Sequence, residues 1–138
     1  MKKFLLIITL TLFAGYASQA QDDDNDRIRD KMREFIQKRL NLTRNEADRF
    51  APVFVRYFRE WRQTLRETRD DNLIRQQKIV DLRIRYRTEF RDIVGEKRSN
   101  EVFKRQDEFV REIKTMRDEQ IKARRDERPT KRNRSLLE

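Results

Sequence analysis

The stretch NLTRNEADRF, residues 41–50, marks a helix start more clearly than any other part of this sequence. Thr43 is a residue type that caps helix N-termini through its hydroxyl, and Glu46, three residues later, can accept a hydrogen bond from the Thr43 amide. The two residues form a capping box, and Leu42 just before the cap can pack against Ala47. A helix is therefore predicted to begin directly after Thr43.

The helix that follows carries a single aromatic stripe. At 100° per residue, its apolar side chains fall within about 60° of Phe54 on the helical wheel. They are Ala47, Phe50, Phe54, Tyr57, Phe58, Trp61 and Leu65. Pro52 points away from this stripe, to the outer side where its missing amide hydrogen bond is most easily tolerated. Because an amphipathic helix normally buries its apolar face, the stripe predicts hydrophobic core rather than a cofactor site.

Apolar spacing predicts three more helices, at about 24–40, 73–94 and 97–126. Aspartates precede the first, where negative charge suits a helix N-terminus. Gly95 suits a left-handed stop between the last two. The stripe of the last helix is Val102, Phe109, Ile113 and Met116, flanked by Phe103, Val110 and Ile121. With so few helix breakers, residues 21–127 are predicted to form one all-α, four-helix domain.

The third predicted helix has two apolar sides. One side carries Ile79, Leu82, Tyr86, Phe90 and Ile93, and the nearly opposite side carries Leu73, Val80 and Ile84. A small monomer needs to bury only one face, and exposed apolar patches usually mark interfaces. The second stripe therefore serves a dimer partner, a bound client protein, or a helix that is rotated at the polar join before it. The sequence leaves these three alternatives open.

The first twenty residues have the three-part layout of a secretory signal peptide. A basic start is followed by an apolar run that ends at Tyr16, and small residues lead to a cleavage site after Ala20. The apolar run is about thirteen residues long, too short to span ~30 Å of hydrocarbon comfortably. Residues 1–20 are therefore expected to be removed and the protein to be periplasmic, with an uncleaved membrane anchor as the alternative. Residues 128–138 are interpreted as a basic, mobile tail.

Composition excludes most catalytic chemistry. The chain has no Cys and no His, which excludes disulfides, thiol catalysis, His-based triads and nearly all zinc or copper sites. Two Gly and two Pro in 138 residues leave little material for tight catalytic loops. We therefore expect no enzyme activity, no metal site and no cofactor, which leaves binding as the function class.

The charge balance indicates an anionic partner. The formal net charge is +10, and 43% of the residues are charged. A basic protein would ordinarily suggest nucleic acid. For an exported protein, membrane surfaces, lipopolysaccharide-like molecules and acidic segments of other proteins come first, and nucleic acid is not expected. A membrane surface could be bound through the basic tail.

The export signal, the Cys-free helical chain and the run Leu42-Thr43-Arg44-Asn45-Glu46 resemble the Spy/CpxP family of periplasmic proteins. The family hallmark is the LTXXQ motif, Leu-Thr-x-x-Gln, in two places. Glu46 replaces the Gln of the first copy, and either residue closes a capping box. The second copy is poor, since IVGEK stands at residues 93–97. The run VFKRQDEF at 102–109 looks like a branch found in Bacteroidetes-type genomes, and the resemblance spans about residues 28–122.

The resemblance implies an elongated, bent helical hairpin that pairs into an antiparallel, cradle-like homodimer of coiled-coil character. It also implies an ATP-independent, chaperone-like protein that binds partly unfolded clients through a basic, amphipathic helical surface. The alternative is a regulatory or sensor partner of an envelope-stress system, binding the periplasmic part of a membrane signalling protein linked to an extracytoplasmic sigma factor or a two-component pathway. Some relatives sense metal through His-rich segments, an activity that a chain without His cannot share.

Arginine suits client binding because its flat guanidinium meets apolar groups while its charge meets acidic ones. Arginines are interleaved with the apolar stripes of the second and third helices. The candidate client- or partner-binding residues are Arg56, Arg59, Arg62, Leu73, Val80, Arg83, Ile84, Arg85 and Arg87. For each arginine, the alternative is a solvated helix face with an acidic neighbour such as Glu60 or Glu67.

Overall fold

The computed structural model describes residues 22–127, which form four α-helices. These are α1 over 22–39, α2 over Arg44–Glu67, α3 over Asn72–Val94 and α4 over Glu96–Asp126. No residue in this described part of the chain lies in a β-strand. The predicted all-α, four-helix fold is confirmed. The starts of α2, α3 and α4 and the ends of α1, α3 and α4 lie within two residues of the predicted ones.

The predicted signal peptide and the predicted basic tail lie outside the described residues. Within residues 22–127, no helix is long and apolar enough to cross a membrane. The bent-hairpin shape and the cradle-like dimer implied by the family resemblance stay predictions.

The helix ends follow the local sequence chemistry. The Thr43 hydroxyl accepts a hydrogen bond from the Glu46 amide at 3.2 Å, and Glu46 Oε2 accepts one from the Thr43 amide at 3.0 Å. The predicted capping box is therefore confirmed. Asp71 caps α3 by accepting from the amide of Ile74 at 3.0 Å. Gly95 separates α3 from α4 with a φ of 86°, a conformation that favours glycine.

Each helix runs antiparallel to the one before it. The contacts that fix these directions are Asn25 with Arg62 and Gln37 with Ala47 for α1 and α2, Phe50 with Phe90 and Tyr57 with Tyr86 for α2 and α3, and Arg83 with Asp107 for α3 and α4. The four helices therefore run up, down, up and down, and side chains of α2 contact all three other helices.

An aromatic cluster forms the core. Its fully buried rings are Phe50, Phe54, Tyr57 and Phe90. Tyr57 meets Phe90 edge to face, with ring centroids 6.0 Å apart. Such pairs contribute about 0.5–1.5 kcal/mol beyond the burial of their area. The predicted stripe of α2 is thus the core, with Pro52 exposed on the opposite side as predicted.

Packing is uneven along the bundle. In α4 the last buried residue is Phe109, and every residue from 110 to 127 is exposed. We call the half of the bundle that holds residues 22–31, 59–84 and 110–127 the open end. All the large exposed hydrophobic residues of the described chain lie there: Ile28, Leu73, Ile74, Val80, Ile84, Val110, Ile113, Met116 and Ile121.

The stripe predicted for α4 is therefore core only in its first half. Val102, Phe103 and Phe109 are buried, whereas Val110, Ile113, Met116 and Ile121 are exposed. Periodicity identifies an apolar face correctly, but it does not say whether another helix reaches that face.

Candidate binding surface

The second apolar stripe of α3 is exposed on one continuous helix. Leu73 has 77% of its surface exposed, and Val80 and Ile84 have 53% each. The same helix buries Leu82 and Tyr86 on its other side. A rotation at the join that would bury the second stripe is therefore contradicted, and the dimer and client alternatives remain.

Arg87 lies beside this stripe. At 100° per residue it falls within about 60° of Leu73, Val80 and Ile84 on the helical wheel. Arg87 is exposed and forms no ion pair with any residue between 22 and 127. We call Leu73, Val80, Ile84 and Arg87 the α3 face. It combines apolar contact area with an available positive charge.

The α3 face belongs to a basic helix. Between Asn72 and Val94 the sequence has six basic and three acidic residues. An excess of positive charge beside exposed apolar side chains attracts acidic groups over a Debye length of about 8–10 Å at ordinary salt. Among the four helices, α3 has both the largest charge excess and the most exposed leucine.

Arg56 and Arg85 lie on a different side, along the contact between α2 and α3. Arg56 Nη2 is 2.5 Å from Glu89 Oε2, and Arg85 Nη2 is 2.7 Å from Glu60 Oε2. Both arginine side chains remain more than half exposed, so these pairs contribute little stability. A client carboxylate could compete for either arginine at small free-energy cost.

Glu60 also accepts a hydrogen bond from the Tyr86 hydroxyl at 2.5 Å. That hydrogen bond lowers the pKa of Glu60 below its usual value, with Arg85 adding to the effect against partial desolvation. Desolvation, followed by the bond to Glu60, raises the pKa of Tyr86 to about 12. Glu60 therefore stays ionised and links α2 to α3 through two donors.

Arg83 is built into the packing of α3 against α4. Its Nη1 and Nη2 donate to the two carboxylate oxygens of Asp107 at 3.2 and 2.6 Å, and its guanidinium lies 5.5 Å from the centre of the Phe103 ring. Only 24% of the Arg83 side chain is exposed. Arg83 is therefore poorly placed to contact a client.

Beneath Arg83 lies a buried polar group that sequence reasoning missed. Gln106 is fully buried, and its Oε1 accepts a hydrogen bond from the Tyr57 hydroxyl at 2.5 Å and from Arg83 Nη2 at 3.4 Å. Burial raises the pKa of Tyr57 to about 12. The signal in the sequence is a glutamine on the core side of α4 between Val102 and Phe109, where an apolar residue is the norm.

Arg59 and Arg62 lie on the side of α2 that faces α1. Arg62 Nη2 donates to Asn25 Oδ1 at 2.7 Å, and Arg59 is exposed. The nine nominated residues thus fall into four places. These are the α3 face, the α2–α3 contact, the α3–α4 contact and the α1–α2 contact.

Leu42, Thr43 and Glu46, the residues on which the family resemblance rests, lie at the opposite end of the bundle from the α3 face. Leu42 packs against the core, and Glu46 receives two hydrogen bonds from Arg98 of α4 in addition to its capping role. The hydrogen bond from Arg98, followed by that from the Thr43 amide, lowers the pKa of Glu46. Arg98 is a partner that no local pattern indicated.

Metal ligation has little support in residues 22–127. No group of three or more acidic, His or Cys side chains converges there in a way that could hold an ion.

Comparison of the chain with protein-family models, with curated proteins and with solved structures gives no match.

Proposed function

We propose that this chain is an exported, ATP-independent, chaperone-like protein of the Spy/CpxP type, and that it holds partly unfolded clients on the α3 face. The observation that carries the proposal is the exposure of Leu73, Val80 and Ile84 beside Arg87 on a basic helix. An apolar stripe of this kind, left uncovered in the chain, is typical of an interaction surface.

The chemistry of the α3 face matches what an unfolded client offers. Partly unfolded chains expose apolar side chains together with carboxylates, and each is weakly bound by one component of the face. Burying apolar area gains roughly 25 cal/mol per Å², so a client that partly covers three side chains is bound weakly and reversibly. Attraction between charges raises the rate of encounter. Weak contacts let the client fold while it is held.

The open end extends this surface. Ile113, Met116 and Ile121 of α4 are exposed in the same half of the bundle. They give a second apolar surface that an extended client could reach while it contacts α3. Because α4 is unburied beyond Phe109, this segment can adjust its position without disrupting the core.

The test is an aggregation assay with an unrelated, chemically unfolded client and no ATP. The wild-type protein in several-fold excess is expected to suppress light scattering, more strongly at low salt than at 0.15 M, where the Debye length is about 8 Å. A variant with Leu73→Gln, Val80→Gln and Ile84→Gln should lose most of this effect, since glutamine removes apolar area and is a good helix former.

A comparison variant carries Ile113→Gln, Met116→Gln and Ile121→Gln on α4, the second apolar surface, and should lose a smaller part of the effect. It removes three exposed apolar side chains as well, so a larger loss in the α3 variant assigns capture to the α3 face. Equal losses in both variants would contradict that assignment. Unchanged aggregation with the wild-type protein would overturn the chaperone proposal and favour the regulatory alternative, in which the same face binds a membrane signalling protein.

A further inference from the structure

A pocket of about 190 Å³ lies between the start of α1 and the C-terminal half of α2, and none of its lining residues belongs to the α3 face. Its charged lining consists of Asp22, Asp26, Arg29, Arg59, Arg62 and Arg66. The apolar contact between α1 and α2 changes here to a polar one. Since a water molecule occupies about 30 Å³ in the liquid, the pocket has room for a small oxyanion with part of the group that carries it.

Three of the arginines come from one face of α2. Arg59, Arg62 and Arg66 follow a spacing of three and four residues, which places them side by side along the helix. Among residues 22–127, neither Arg59 nor Arg66 has an acidic group within ion-pair distance, although Asp22 and Asp26 line the same pocket. The two guanidinium groups are therefore available to a ligand.

Arg62 adds a buried donor. Its Nη2 donates to Asn25 Oδ1 at 2.7 Å, but its Nε is buried and has no hydrogen-bond acceptor among the described residues. A buried donor without an acceptor is unfavourable, and most such groups in proteins have a partner. Arg29 differs, because Asp26 and Asp30 already neutralise it at 2.8 and 3.1 Å.

We propose that this pocket binds a phosphate monoester group, through the guanidinium groups of Arg59, Arg62 and Arg66. Four arginines against two aspartates leave an excess of two positive charges. A phosphate monoester has a charge of about −1.5 to −2 at neutral pH, with a second pKa near 6. The planar fork of arginine matches phosphate oxygens in a bidentate manner. The proposal is independent of client binding.

The direct test follows the Nε–H signals of arginine by NMR while the protein is titrated with glycerol phosphate. The Arg62 Nε–H signal is expected to shift, since it gains an acceptor. Arg59→Gln with Arg66→Gln should weaken binding about tenfold or more, given the usual strength of hydrogen bonds to charged groups. The control, Arg111→Gln with Arg117→Gln on exposed α4, removes the same charge and should change the affinity less than twofold.

The ligand's own titration gives a second readout. Between about pH 7 and pH 5, glycerol phosphate loses its second charge and should bind more weakly, whereas sulfate remains a dianion and should be unaffected. If the control variant weakens binding as much as the pocket variant, the attraction is general and the proposal is wrong. An Arg62 Nε–H signal that stays unmoved at saturation would overturn it as well.

Two sources of the phosphate group are separated by vesicles. Vesicles of phosphatidylcholine containing phosphatidic acid are compared with vesicles of phosphatidylcholine alone. Binding to the former that depends on Arg59 and Arg66 and is displaced by glycerol phosphate indicates a lipid headgroup. Binding of glycerol phosphate without binding of vesicles indicates a soluble ester. Either result supports the pocket. If neither glycerol phosphate nor the vesicles with phosphatidic acid bind, the proposal is wrong.

Discussion

Arg98 at the start of α4 donates two hydrogen bonds to Glu46 in the first turn of α2, one of them from Nη1 to Oε2 at 2.9 Å. The same Oε2 accepts from the Thr43 amide. One carboxylate therefore closes the capping box and fastens the start of α2 to the start of α4. A glutamine at this position could close the box but could not form the ion pair.

Removing the cap is expected to lower stability. Thr43→Ala should reduce the free energy of unfolding by about 1 kcal/mol, the usual value for a lost helix N-cap. Thermal or urea denaturation of the two proteins at equal concentration measures the difference. An unchanged midpoint would contradict the role of Thr43 at the start of α2.

Glu46→Gln separates the ion pair from the cap. Because the pKa of Glu46 is lowered below its ordinary value of 4.5 in the folded protein, the ionised form contributes stability above that value. This stability is lost as the pH falls through the lowered pKa. The variant should therefore melt at a lower temperature than wild type at neutral pH, and the difference should shrink in acid. A pH-independent difference would contradict the ion-pair contribution.

Arg83 and Arg87, four residues apart on α3, are expected to behave differently. Arg83→Gln should lower the free energy of unfolding by about 1–2 kcal/mol, because it leaves Asp107 without its bidentate partner. Arg87→Gln should stay within about 0.5 kcal/mol of wild type, as is usual for exposed positions. In the aggregation assay at low salt, Arg87→Gln should weaken client capture more than Arg83→Gln does. The reverse ranking in either measurement would contradict these roles.

Alkaline titration reports on the core. Tyr57 and Tyr86 are the two tyrosines of residues 21–138, and the pKa of each is raised to about 12. Since the folded state favours the neutral phenols, their contribution to stability is complete below the ordinary value of 10 and is lost as the pH rises toward 12. In a titration followed by tyrosinate absorbance, the tyrosines of the folded protein should therefore ionise at higher pH than those of the denatured protein, which titrate near 10. Coincident curves would contradict the buried placement.

Self-association through the α3 face is expected to depend on Val80. A charge at this position should prevent packing of the stripe against a second copy, so Val80→Glu should be monomeric at concentrations where wild type is a dimer by light scattering. Ile121→Glu is the control, because Ile121 is exposed to a similar extent on α4. Wild-type protein that remains monomeric at high micromolar concentration would contradict the dimer. If dimer and client compete for this face, dilution should increase capture per chain.

The sequence by itself determined where α2, α3 and α4 begin and which face of α2 is buried. Thr43 and Gly95 act within one helical turn, so their effects are local and readable from the chain. The aromatic stripe around Phe54 could also be recognised without knowing its partner, because an amphipathic helix normally buries its apolar face. The exposed position of Pro52 followed from the same wheel.

Only the tertiary structure decided which apolar faces are covered and which arginines are free. Ile113 continues the periodicity of Phe109, yet one is exposed and the other buried, because no other helix covers α4 beyond that point. Arg83 and Arg87 are four residues apart on one helix, and the ion pair with Asp107 on another helix distinguishes them. Arg98 lies 52 residues from Glu46 along the chain, and Tyr57 lies 49 residues from Gln106. Contacts at that separation depend on how helices pack, and helical periodicity alone does not determine that packing.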